Sequence, residues 1–257
     1  MTTNCQKVAL VTGAAKRIGR AIALALAERG WQVAVHYGRS AAEAQVTVRE
    51  IEALGRRAAA VQCDLADEAA VRTLLARATA ALDAGPVSCV VNNASLFEYD
   101  NAAEFSLARL DAHMHANLAA PILLAQALHD ATPASRQAVV VNLLDQKLFN
   151  LNPDFLSYTL SKAALHAATT MLAQALAPKV RVVGIAPGIT LLSGQQTEAS
   201  FSQAHAATPL GRSSTPEDIA AAVCFAAEAR AITGATLPVD GGQHLISLQR
   251  DVMFVAP

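Results

Sequence analysis

Short, wholly apolar runs alternate with helix-length segments along almost the entire chain, and few architectures can use that alternation. Lys7–Thr12 (KVALVT) is one such run. It is followed by an apolar-rich helical segment, Arg17–Arg29, which Gly30 stops as a C′ glycine. The pattern continues with a strand at Trp31–His36, a helix at Ala41–Leu54 closed by Gly55, a strand at Ala58–Gln62 and a helix at Asp67–Leu82. Next come a strand at Val87–Val91, a long helical stretch from about Glu104 to Leu128, and a strand at Ala138–Leu143. A helix at Phe155–Leu176 ends at Pro178, and strands follow at Val180–Ile185 and Ala235–Val239. Between those two strands, Thr215-Pro216-Glu217-Asp218 opens a helix, with Thr215 as N-cap, Pro216 at N1 and Asp218 three residues after the cap. Repeated β-α-β crossovers imply an α/β fold: one doubly wound parallel sheet with helices on both faces.

Composition fits a sheet covered on both sides. Hydrophobic residues make up 53% of the 257 and charged residues 16%, as buried parallel strands require. A membrane protein would share that bias. However, no run of 18 or more apolar residues is free of charge. The opening MTTNCQKVALVTG lacks the charged and apolar regions of a signal peptide. The expected location is therefore the cytoplasm, with neither membrane nor nucleic acid as partner, since a net charge of −1 gives no basic excess for phosphates. Cys5, Cys63, Cys89 and Cys224 are scattered without zinc spacing and read as small hydrophobes in a reducing compartment. Nothing marks a second domain, so residues 1–257 form one unit. About 187–214 is expected to be an irregular substrate loop, and the apolar ending 243–257 to be packed, against the chain or another subunit.

The turn Thr12-Gly13-Ala14-Ala15-Lys16-Arg17-Ile18-Gly19 joins the first strand to the first helix. Gly13 permits a tight turn, Gly19 permits close helix–strand packing, and the N–H groups at the helix start face an anion. This strand–turn–helix context makes the pattern a Rossmann-type dinucleotide site. After the second strand, His36-Tyr37-Gly38-Arg39-Ser40 carries no carboxylate to hold a ribose 2′-hydroxyl. Arg39 and Ser40, with Arg17 or Lys16, instead suit a 2′-phosphate, which favours NADPH over NADH. Asp64, beside Leu65, is placed either at the adenine edge or as a cap of the next helix.

Tyr158-Thr159-Leu160-Ser161-Lys162 puts a phenol and an ammonium four residues apart, on one helix face. The cation is expected to bring the phenol, with its ordinary pKa of about 10, closer to neutrality. On these motifs the chain resembles the short-chain dehydrogenase/reductase family over nearly its whole length. The motifs are Thr12–Gly19, Asp64, Asn92-Asn93-Ala94, Asn117, Tyr158/Lys162, Pro187-Gly188 and Asp240-Gly241-Gly242. The resemblance implies strand order 3-2-1-4-5-6-7 and a homotetramer. It also implies that Asn92–Ala94 lines the cofactor, that Asn117 holds a water in a relay with Lys162, and that Pro187-Gly188 meets the nicotinamide.

Three departures from the family pattern point to its pteridine reductase branch. Arg17 stands where glycine is usual, Ser95 follows Asn92-Asn93-Ala94, and Asp145 replaces the serine 13 residues before the tyrosine. The stretch from His36 to Ala44 is similar to that branch as well. The resemblance implies Asp145 beside Tyr158 in protonating a pterin, Phe97 stacking on it, and Arg17 touching both cofactor and substrate. Gly13, Arg17, Ile18, Gly19, His36, Tyr37, Arg39, Ser40, Asp64, Leu65, Asn92, Ala94, Ser95, Tyr158, Lys162, Pro187 and Gly188 then form the expected cofactor site. Arg17, Ser95, Phe97, Asp145 and Tyr158 form the substrate site, and Asp145, Tyr158, Lys162 and Asn117 the catalytic set. Asp145 as a loop cap and Phe97 as core are the plainer alternatives. A carbonyl reductase is the rival enzyme, and an NADPH-binding regulatory protein the rival class.

Overall fold

In the computed structural model, which describes residues 7–192 and 197–254, the sheet has seven strands in the order β3-β2-β1-β4-β5-β6-β7. These are β1 (Val8–Val11), β2 (Gln32–Tyr37), β3 (Ala58–Gln62), β4 (Cys89–Asn92), β5 (Ala138–Leu143), β6 (Val180–Pro187) and β7 (Thr236–Val239). Every pairing is parallel. β1, β4 and β5 are buried at every position, because helices cover both faces and alternation has no solvent side to serve.

One helical layer holds α1 (Arg17–Glu28), α2 (Ala41–Ala53) and α8 (Pro216–Glu228), packed through Ile22, Leu26, Ile51, Ile219 and Val223. The other holds α3 (Glu68–Leu82), α5 (Ala120–Ala131) and α6 (Leu156–Ala175), packed through Leu74, Leu124, Leu128 and Ala173. Thr215 caps α8 in a capping box with Asp218, as the sequence indicates. No helix among the described residues is long and apolar enough to cross a membrane.

Two segments differ from the sequence reading. The stretch expected to be helical from about Glu104 starts only at Leu107, because the Ser106 side chain caps it there. It is also not one helix. α4 (Leu107–Met114) passes through a π-helical turn, His115–Ala119, before α5 begins. Nothing in the hydrophobic spacing announces that turn, which holds Asn117. The segment 187–214 is not wholly irregular either. It contains α7 (Glu198–Ala206), opened by a capping box between Thr197 and Ser200. Part of that segment, 193–196, lies outside the described residues, as do Cys5 and the last three residues of the ending. Cys63, Cys89 and Cys224 are free and buried.

Candidate active site

The carboxyl ends of β1, β2, β4, β5 and β6 open on one rim, the place where a parallel sheet of this order gathers ligands. At the end of β1, Gly13 turns with φ +63°, and an added Cβ would lie 3.1 Å from the Ala94 Cα. At Gly19 a Cβ would sit 2.2 Å from the Gly13 carbonyl oxygen, so only glycine lets α1 start this close to the strand. The α1 N-terminus has no side-chain cap and no acidic residue in its first turn. Those N–H groups and the helix dipole fit a phosphate, which is the observation that makes the turn suit a dinucleotide.

His36 has a role that its expected place in the cofactor site does not convey. Its Nδ1 accepts the Gly13 N–H at 3.0 Å, and its Nε2 lies 3.1 Å from the Cys63 carbonyl. Both ring nitrogens are therefore engaged inside the protein, and the ring pins the β1 turn to the ends of β2 and β3. Burial holds its pKa down at about 4, against the opposing pull of the Cys63 carbonyl. His36, Arg39, Asp64, Leu65, Ala94 and Ser95 border one cavity of about 480 Å³. The Asp64 carboxylate accepts the Ala66 N–H at 3.0 Å, while the N-cap of α3 is Asp67. Asp64 thus caps a turn, not the helix. Asn92 faces away from the cavity and donates to Asn142 at 2.8 Å, and Asn93 ties the turn through Thr12 O at 2.8 Å.

A second cleft, of about 620 Å³, meets the first at Ser95 and takes in Arg17, Phe97, Asp145, Tyr158, Lys162 and Gly188. Here the distant segments converge. The Tyr158 hydroxyl donates to Asp145 Oδ2 at 2.7 Å, and the other oxygen, Oδ1, accepts the Lys147 N–H at 2.8 Å. Asp145 is therefore both a cap and a partner of the phenol. Lys162 donates to the Leu143 carbonyl at 2.8 Å and lies 5.8 Å from the centre of the Tyr158 ring.

The electrostatics reverse one expectation. Burial, and then the Asp145 carboxylate, push the Tyr158 phenol well above its ordinary pKa. Lys162 does not outweigh them, and burial also lowers its own ammonium to about 8. Asp145 is raised by burial, with the Lys147 N–H and the Tyr158 hydroxyl opposing. The phenol is thus held protonated next to a carboxyl that is easier than usual to protonate.

Phe97 lines the cleft with 40% of its surface exposed. One face stacks on Phe155, with centroids 4.4 Å apart, and its ring meets Tyr158 edge-on at 4.7 Å. The exposed part of the ring borders the cleft. Phe155 reaches this position because it enters α6 with φ +54°, while the buried Asp100 carboxylate accepts the Ser157 N–H at 2.9 Å and its hydroxyl. The Asn117 side chain donates to Leu96 O at 2.9 Å and to Ser161 Oγ at 3.0 Å, and accepts the Leu96 N–H at 2.8 Å. The side chain clamps the β4 loop to α6, so a water serving Lys162 would have to be held by main chain.

The sequence reading missed the cleft's last wall. Asp251, Val252 and Met253, from the ending, line it together with Gln243. Gln243 Oε1 accepts the Ile189 N–H at 2.9 Å, beside Gly188. The only signal in the sequence was that the ending is too apolar to be free.

The family model described as short chain dehydrogenase matches residues 7–203. Among solved structures, FolM Alternative dihydrofolate reductase 1 from Brucella canis, complexed with NADP, is 42% identical with a TM-score of 0.90, over 95% of this chain and 96% of that one. Two curated relatives are similar over almost their full lengths. An uncharacterized oxidoreductase of Methylorubrum extorquens is 35% identical, over 92% of this chain and 97% of its own. The 3-oxoacyl-[acyl-carrier-protein] reductase FabG of Staphylococcus aureus is 32% identical, over 93% of this chain and 98% of its own.

Proposed function

The chain belongs to the short chain dehydrogenase family, and from that membership we propose that it is an NADPH-dependent reductase acting on a C=N bond of a pterin, dihydropterin or dihydrofolate. The observation that carries this reading is the 2.7 Å hydrogen bond between the Tyr158 hydroxyl and the Asp145 carboxylate. The FolM likeness supports it.

When bound, NADPH supplies the hydride to carbon. The chain's own groups handle the proton that the nitrogen then takes up. Tyr158 holds its proton because burial and Asp145 disfavour the phenolate. The Tyr158 hydroxyl donates to Asp145, so donation to substrate requires Asp145 to carry a proton of its own and give its hydrogen bond to the phenol oxygen. A raised Asp145 pKa serves that arrangement. Lys162, fixed by Leu143, keeps a positive charge beside the phenol as its proton leaves. Arg39 and Ser40 take the 2′-phosphate, since no carboxylate stands at the end of β2 to repel it.

NADPH oxidation with 7,8-dihydrobiopterin, set against the same assay with a 3-oxoacyl thioester, tests the reading. Tyr158→Phe should lower turnover of the pterin by roughly 100- to 10,000-fold. The FabG likeness favours ketone reduction as a second reading. The greater likeness to FolM, 42% identical against 32%, weighs against it. Asp145→Ser should gain ketone turnover and lose the pterin. Turnover of the thioester alone by the unaltered protein would reject the proposal.

A further inference from the structure

The ending from Arg250 to Phe254 forms part of the cleft wall and is anchored far more firmly than a passive tail requires. The Asp154 carboxylate, 3% exposed, accepts Arg250 Nε and Nη2, each at 2.8 Å, and the Asp251 N–H, also at 2.8 Å. Lys147, two residues after Asp145, is 3% exposed and donates to Asp251 Oδ2 at 3.2 Å and to the Asp154 carbonyl. Phe254 packs against Tyr99 and Phe155, at 5.5 Å and 6.0 Å between centroids. The turn Val252–Phe254 also meets α7. Burying the Lys147 ammonium costs desolvation, which its pairing with Asp251 and the Asp154 carbonyl offsets.

Asp251 is one of two carboxylates that line the cleft. The other, Asp145, is engaged by Tyr158 and by the Lys147 N–H. Asp251 accepts one bond on Oδ2 from Lys147 and one on Oδ1 from the Met253 N–H at 3.1 Å. A carboxylate offers about four acceptor positions, and the Asp251 side chain remains 16% exposed in the cleft. Asp251 shares the lining of the cleft with the apolar Val252 and Met253 and the aromatic Phe97. Its charge is also felt at the reaction centre, where it helps raise both Asp145 and Tyr158.

We infer that Asp251, held in place by Lys147 and the Asp154–Arg250 clamp, is a specificity-determining residue that accepts N–H donors from the aminopyrimidine edge of a bicyclic substrate. The inference rests on the pterin reading above and deepens it. A carboxylate pairs well with adjacent ring N–H and exocyclic amino donors and repels an oxo group in the amino position. The site should therefore separate 2-amino-4-oxopteridines from their 2,4-dioxo counterparts.

The test is calorimetric binding of 6-methylpterin and 6-methyllumazine to the NADP+-loaded protein and to Asp251→Asn. The unaltered protein should bind the pterin at least tenfold more tightly than the lumazine, and Asp251→Asn should bring the ratio within twofold. NADP+ affinity should be unchanged. Asparagine keeps an acceptor for Met253, and Asp251→Ala, read by the same ratio, covers the case in which the asparagine variant is unstable. A purely structural role would weaken both ligands together and leave the ratio intact, which would overturn the inference. Equal binding of the two ligands by the unaltered protein would also overturn it while leaving the reductase reading standing. Failure to bind either ligand would overturn both.

Discussion

In the proposed reaction, the hydrogen bond between Tyr158 and Asp145 makes the protonation state of one carboxyl decide whether the phenol can act. Asp145 must be protonated to free the phenol's hydrogen for a substrate, and its pKa lies above the ordinary carboxylate value. The active form is the acid, so turnover should be full at low pH and fall as pH rises through the Asp145 pKa. Lys162, at about 8, removes its positive charge at higher pH and pushes in the same direction. The kcat–pH profile should therefore descend in two limbs. In Asp145→Asn the lower limb should vanish and only the one near 8 remain, with kcat reduced by about 10- to 100-fold. A lower limb that persists in the asparagine variant would assign it to another group. Arg17 shows strain kept at the same site. It adopts φ +56°, a conformation that costs a side-chain-bearing residue about 1–2 kcal/mol. Arg17→Gly removes that strain but returns about 0.5–1 kcal/mol through glycine's greater freedom when unfolded. Stability in denaturant titrations should stay level or rise by up to about 1 kcal/mol, whereas KM for NADPH and pterin should increase. A loss above about 1 kcal/mol would mean that its contacts, such as that to the Leu192 carbonyl at 3.1 Å, outweigh the strain.

Elements were legible in the sequence wherever one physical signal fixed them. The β1–α1 turn is such a case: Gly13 and Gly19 are demanded by contacts that any strand-to-helix entry of this kind creates, and the structure places Gly19 against the Gly13 carbonyl. Gly19→Ala should lose about 3 kcal/mol, as overpacking against backbone does, and should weaken NADPH binding more than pterin binding in the protein that still folds. Unchanged thermal stability in that variant would show that α1 can slide outward. The capped start of α8 was equally legible, because Thr215, Pro216 and Asp218 each act on their neighbours. The π-helical turn around Asn117 was not. It arises where α4 and α5 meet as one run, and the hydrophobic spacing is the same with or without it. α7 was hidden because its capping box uses Ser200 in place of the usual acid or amide. The wall made by Asp251 was hidden for a third reason. Its anchors, Lys147, Asp154 and Arg250, lie about a hundred residues apart along the chain at their widest, and no local pattern records such a pairing.

At the scale of the whole molecule, the parallel sheet fixes where chemistry can occur, and residues that join its strands then carry stability as well as shape. His36 binds the first glycine turn to the ends of β2 and β3 and is only 2% exposed. Its pKa falls from 6.5 to about 4 because the buried ring resists charge. The sign follows from proton counts. Between those two values the unfolded chain binds a proton that the folded chain refuses, so unfolding is favoured as pH falls. The stabilisation is complete above about 6.5 and is lost on approach to about 4. Its upper bound is about 3.5 kcal/mol, from roughly 1.4 kcal/mol for each pKa unit. Carboxylates held below their ordinary values by partners, such as Asp154 with Arg250 and Asp218 with Arg212, add their losses at lower pH. Asp145, held above its ordinary value, binds its proton more readily when folded and so offsets part of the histidine's loss in the same window. Denaturant titrations at half-unit steps should show unfolding free energy dropping through this window in the unaltered protein. In His36→Gln, which retains an acceptor for the Gly13 N–H and a donor for the Cys63 carbonyl, the absolute stability should fall but the slope should flatten. A slope unchanged by the substitution would place the acid sensitivity elsewhere.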